Sequence, residues 1–198
     1  MRLRTRHSDK AEKKRRTSKN VQGTMKIKRT TENKLFTMPP GTYYVGDLCY
    51  VLGDKAHGEL CKMCFPGSEV QFTPGIEGKH VLSDGRTVVS WECPDGDGAY
   101  EDQNGRFYMV DSGWLGITLL EGLEAQWEHP CPGTFPKETM MEFIERLGHI
   151  VEYDSKFHVK NVTVDYCEEP GKKGAYRVAH MSFGDKVSFG AGSARPIF

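Results

Sequence analysis

The stretch HVLSDGRTVVSWECPDGDGAYEDQNGRFYMV, residues 80–110, decides the fold class. His80-Val81-Leu82 and Thr87-Val88-Val89-Ser90-Trp91 flank Asp84-Gly85. Ala99-Tyr100-Glu101 and Arg106-Phe107-Tyr108-Met109-Val110 flank Asn104-Gly105. Asp-Gly and Asn-Gly between apolar runs favour the positive backbone angles of a tight hairpin turn, so the stretch reads as two successive β-hairpins.

The same grammar extends in both directions. Thr42-Tyr43-Tyr44-Val45 reads as a strand, Gly46-Asp47 as a kink, and Leu48-Cys49-Tyr50-Val51-Leu52 as the strand's continuation. Leu60, Met63 and Cys64 recur at helical spacing, which predicts a short helix over 55–65, ended by Pro66-Gly67. A second helix is expected where Met140, Phe143, Ile144 and Leu147 form an apolar stripe before Gly148. Thr134 would cap it, Pro136 would sit in its first turn, and it would cover an open end or face of the sheet. Ile150–Tyr153 and Phe157–Val159 return to strand composition. Val162–Tyr166 and Ala175–Ala179 suggest a third hairpin across Gly171-Lys172-Lys173-Gly174. Many short strands and one clear helix, without strand–helix alternation, predict a mainly β protein built as a small antiparallel barrel or sandwich.

The chain has 198 residues and no formal net charge, but the charge is unevenly divided. Residues 1–36 hold 13 Lys/Arg against three acids; residues 37–198 hold 14 against 24. The expected organisation is a disordered basic arm over 1–36 and one β-rich domain over 37–198. Lys13, Lys14, Arg15, Arg16, Lys26, Lys28 and Arg29 are the arm's candidate contacts to an anionic partner, either nucleic acid or an acidic protein surface. Their clustering also has the composition of a nuclear-localisation patch, should the host be eukaryotic. A solvated tail without a partner is the alternative. No apolar run is long enough for a membrane span or a secretion signal, so an intracellular, non-secreted protein is expected, with its six cysteines mostly reduced.

The turns supply the candidate site. Asp47, Asp97 and Asp111, each beside a strand, would form an acidic pocket if they converge at one end of the fold. Cys49 and Ser112 would lie nearby, and Tyr44, Tyr50, Trp91 and Tyr100 would form the rim. Carboxylates suit a divalent cation, although the spacing is not that of an EF-hand and Asp and Gly are also ordinary turn residues. Cys49 would need a base, with His57, His80 or His158 available, to act as a nucleophile; Ser112 offers a hydroxyl. Cys61 and Cys64 have the two-residue spacing of zinc knuckles and redox pairs, but no second such pair follows and the strand–helix setting of a thioredoxin motif is missing. No phosphate-binding loop joins a strand to a helix. No cofactor follows from these residues.

The run Gly41–Val51, with its Gly-Asp-Leu-Cys-Tyr core, the Gly-Asp-Gly-Ala-Tyr segment ending at Tyr100, and Tyr108–Gly113 together resemble a group of small uncharacterised proteins from bacteria and large DNA viruses. The resemblance covers most of 38–120 and, more loosely, 147–190 through Leu147–Tyr153 and Ser182–Val187. It implies a shared β fold and a viral source as one origin, with no activity attached. The reading that follows is a non-enzymatic binding or assembly module. Its competitors are a small hydrolase or metal-dependent enzyme at the Asp pocket, and a zinc-stabilised module using Cys61 and Cys64.

Overall fold

A computed structural model describes residues 26–28, 33–64, 77–93, 96–129, 138–168, 176–190 and 194–195. The central layer is a five-stranded antiparallel sheet made from β3 (Gly41–Gly46), β4 (Gly78–Val81), β5 (Thr87–Glu92), β8 (Trp114–Leu119) and β9 (His149–Tyr153), in the order β4-β5-β8-β3-β9. A second sheet joins β1 (Lys26–Lys28), β2 (Asn33–Met38), β10 (Phe157–Glu168), β11 (Tyr176–Phe183) and β12 (Val187–Phe189). Here β10 carries β2 and β1 along one edge and β11 along the other. A three-stranded sheet of β6 (Gly98–Glu101), β7 (Phe107–Val110) and β13 (Ala194–Arg195) closes one end. The antiparallel, mainly β class is as expected. The sheets stack as an open sandwich and do not close into a barrel.

Strand alternation divides the interior in two. Tyr43, Val45, Val89, Trp91, Leu115 and Ile117 point from the central sheet toward Val159, Met181, Phe183 and Phe189 of the second sheet, with Tyr100 and Tyr108 filling the end. Tyr44 and Val88 point the other way, against two helices. Both faces of the central sheet are therefore buried, which is why β5 and β8 each carry four consecutive buried residues. The helices are α1 (Cys49–Cys64) and α2 (Met140–Leu147). Met140, Phe143 and Ile144 of α2 cover the sheet, as the apolar stripe predicts. Arg106, in the β6–β7 turn, donates from Nε to the Gly148 carbonyl and from Nη2 to that of Glu145, placing a cation at the C-terminal end of α2.

Several expectations change. Residues 49–52 are helical, not a continuation of β3: the Asp47 carboxylate accepts the Cys49 N–H, the Tyr50 N–H meets the Asp47 carbonyl, and the Leu52 N–H meets that of Leu48. Gly53, at φ 66° and ψ 164°, kinks α1 before it runs on to Cys64. The cap of α2 is Thr139, which forms a capping box with Glu142; Thr134 and Pro136 lie outside the described residues, as do Pro66-Gly67 and the 171–174 loop. Both early hairpins form, but with three-residue turns. Leu82 N–H bonds Arg86 O and Gly85 N–H bonds Leu82 O, a pattern repeated by Asp102, Gly105 and Arg106. Only Gly85 (φ 84°) and Gly105 (φ 79°) take positive angles there, so each turn is a type I turn closed by a glycine bulge. The sequence reading assigns no strand to Trp114–Leu119, which nonetheless lies at the middle of the central sheet. Finally, Lys26–Lys28 and Asn33–Phe36 fall within the span read as the arm and are sheet, paired with β10. Residues 1–25 and 29–32 lie outside the described residues. No helix among the described residues is long and apolar enough to cross a membrane.

Candidate functional site

Gly46 of β3 pairs with Gly116 of β8, so the chain leaving β3 into α1 passes beside the turn that enters β8. Asp47 occupies this corner and is fully buried. Its Oδ2 accepts the N–H of Asp111 (2.8 Å) and of Ser112 (2.7 Å), and its Oδ1 accepts the Cys49 N–H (3.0 Å) and the Ser112 hydroxyl (2.6 Å). The Tyr50 hydroxyl donates to Asp111 Oδ2 at 2.7 Å, and the Trp127 indole donates to the Tyr50 carbonyl. A Cβ at Gly113 would sit 3.8 Å from Asp97 Oδ1, which brings Asp97 to the same turn. Asp47, Cys49, Tyr50, Asp97, Asp111 and Ser112 therefore gather at one corner.

Two proposed rim residues lie elsewhere. Trp91 packs between Phe183 and Phe189 in the inter-sheet core, and Tyr100 lies in the same core with its hydroxyl bonded to the Gly96 carbonyl. Tyr44 is wholly buried on the helix side, its hydroxyl against Gly46.

The chemistry of the corner follows from this geometry. The Asp47 carboxylate is fully engaged by four donors, which makes it a pin between two chain corners. Burial foremost, and then the negative charge of Asp47, its hydrogen bond and the charges of Asp111 and Asp97, push the Cys49 thiol far above its ordinary value, so it stays protonated and poorly nucleophilic at neutral pH. Burial and the bond to Asp111 likewise hold the Tyr50 phenol protonated. The histidines proposed as bases are occupied elsewhere: His57 Nε2 faces Cys61 Sγ at 3.7 Å, His80 Nε2 faces Cys64 Sγ at 3.9 Å, and His158 faces Thr37. Burial raises both thiols of the Cys-x-x-Cys pair, Cys64 to about 11. Among the described residues no three His, Cys, Asp or Glu side chains converge in a metal-holding group.

Beside Cys49 lies a cleft of about 430 Å3 that the sequence reading does not anticipate, with Asp54, Glu59, Ser83, Glu128 and His129 on its walls. The Glu59 carboxylate takes the N–H and hydroxyl of Ser83, both at 2.7 Å, tying α1 to the β4–β5 turn. His129 meets Glu138 at 3.3 Å, and Glu138 also pairs with Arg146. These residues come from four separate segments, and no spacing in the sequence links them.

No protein family, curated protein or solved structure matches the chain.

Proposed function

We propose that the protein is a binding or assembly module whose basic N-terminal segment engages an anionic partner. The observation that carries this reading is the charge division, joined to the place where the segment meets the fold. Residues 1–25 hold nine Lys/Arg against two acids, and β1 immediately follows them as an edge strand on β10. Any polyanion held by Lys13, Lys14, Arg15 and Arg16 is thereby tethered to the second sheet. The corner at Asp47 weighs against the enzymatic alternative, because its buried carboxylate is spent on backbone donors and its thiol is held protonated.

The test is binding of the full chain, and of a chain lacking residues 1–25, to labelled duplex DNA, single-stranded DNA and polyglutamate over a salt series. For nucleic acid, log K should fall linearly with log salt, by about 0.7–0.9 per phosphate neutralised, and the deletion should remove most of the affinity. Preference for polyglutamate would make the partner an acidic protein. Salt-independent binding, or binding undiminished by the deletion, would refute the reading. In a eukaryotic host the same basic cluster suits nuclear import, and a fluorescent fusion with and without residues 1–25 would report it.

A further inference from the structure

The central sheet is covered on both faces, whereas the second sheet turns only one face into the core. Among the described residues its other face is solvent-facing. Phe157, Val159, Met181, Phe183, Val187 and Phe189 point inward, so the residues between them point out. Register places Leu35, Lys160, Ser182 and Ser188 in one row across four strands, with Thr37 and His158 in the next, while His180 lies two residues from Ser182 along β11. Leu35 is 61% exposed, and Thr37, His158, Lys160 and His180 are also exposed.

The composition of this face runs against the rest of the body. From residue 37 onward acids outnumber Lys/Arg by 24 to 14, yet the outward strand positions with described side chains hold Lys160, His158 and His180 and no carboxylate. Asp154 and Asp185 occur only in the turns at the end of the face, where each is two or fewer residues from a lysine, Lys156 and Lys186. A shallow cleft of about 520 Å3 runs from Leu35 past Lys160 to that end. The edge of the same sheet is where the chain arrives from its basic N-terminal segment.

We infer that the open face of this sheet is the docking surface for the phosphate backbone of a nucleic acid, with Lys160 at its centre. This rests on the reading of residues 1–25 as a polyanion-binding segment and assigns that partner its class and its place on the fold. Charge complementarity selects the occupant: beside the exposed Leu35, a polyphosphate meets the Lys160 ammonium, the His158 and His180 rings and the hydroxyls of Thr37, Ser182 and Ser188, with no carboxylate among these outward positions, whereas a basic protein partner would face the lysine. Phosphate contacts of this kind position a strand without reading its sequence.

The experiment uses the full-length protein and a fluorescein-labelled 30-nucleotide single strand and its duplex, at salt from 50 to 300 mM. Lys160→Glu and Lys160→Gln are compared with Lys62→Glu, an equal charge change on α1. Thermal melts accompany each variant, and Lys160→Gln keeps the test valid if the glutamate perturbs folding. Lys160→Gln should weaken binding several-fold for all sequences alike and lower the salt slope by about 1, with Lys160→Glu weaker still and Lys62→Glu close to wild type. If both Lys160 variants bind like wild type while deletion of residues 1–25 abolishes binding, the segment acts alone: the face is refuted and the proposed function stands. Equal losses from Lys160→Glu and Lys62→Glu would mark a net-charge effect and also refute the face. If the wild-type chain binds neither oligonucleotide, the face is refuted, and the proposed function then stands only if the chain binds polyglutamate through residues 1–25.

Discussion

Asp47 shows what a single residue decides here. Asp47 is fully buried, and replacing it with Ala removes the acceptor from the part-buried N–H groups of Cys49, Asp111 and Ser112, each of which costs up to about 1–3 kcal/mol if left unsatisfied. Asp47→Ala should therefore destabilise the protein by roughly 3–5 kcal/mol in urea unfolding, allowing for partial relaxation toward water. Asp97→Ala, which releases no such set of donors, should cost much less. Similar costs for the two variants would mean that the corner is not pinned through Asp47. Asp47, Cys49 and Asp111 were legible in the sequence as a group because each stands at a Gly-rich turn beside a strand. The direction of their chemistry was not legible, since an Asp that binds a cation and an Asp that accepts three backbone N–H groups have the same local sequence.

At the scale of elements, glycines separate what a strand or helix tolerates from what its neighbours allow. Gly116 lies mid-strand in β8, where a Cβ would sit 2.6 Å from Leu48 Cδ1 and 2.7 Å from the Val89 carbonyl. Gly116→Ala must push backbone apart, and a loss of about 1–3 kcal/mol is expected. Gly58 lies within α1, where a Cβ would meet nothing within 4 Å and the backbone has no positive φ. Gly58→Ala should instead stabilise by about 0.5–1 kcal/mol, through helix propensity and a less flexible unfolded chain. Paired melts of the two variants check both signs. The same facts explain why β8 escapes a reading of the sequence: a glycine at its centre looks like a loop, and only contact with Leu48 and β5 shows why glycine is needed. The start of α1 is hidden similarly. Cys-Tyr-Val-Leu has strand composition, and the helix begins there because Asp47 caps it.

For the molecule as a whole, pH should act through the junction of its layers. His149 opens β9 with its ring at the edge of Tyr108, and burial, then the nearby Arg106 charge, hold its imidazole below the usual value. The unfolded chain then takes up a proton more readily than the folded one. Stability is therefore complete above pH about 6.5 and declines as pH falls through the lower folded value. Glu138, held low by Arg146, and Glu142, held low by the Thr139 N–H, lose their favourable charge in the same direction but in a more acidic window. Melts from pH 8 to 4 should show a first decline below pH 6.5 that His149→Gln flattens and a second that it leaves intact. An unchanged first decline in the variant would assign it to another group.

The sequence by itself determined the antiparallel β class, both early hairpins, the apolar stripe of α2 and the separation of a basic N-terminal segment from an acidic body, because these rest on local periodicity, turn chemistry and charge counts. Tertiary structure alone decided that one sheet is buried on both faces while another, among its described residues, buries only one. It also decided that β1 and β2 belong to the latter sheet, that Trp91 and Tyr100 are core, and that Asp47 is a pin. Each of those outcomes depends on contacts between segments far apart in the chain, such as Asp47 with Ser112, Leu35 with Lys160 and Trp91 with Phe183. Residue identity says which contacts a side chain is able to make, but the partner it meets is set by register and layer packing, which no local stretch encodes.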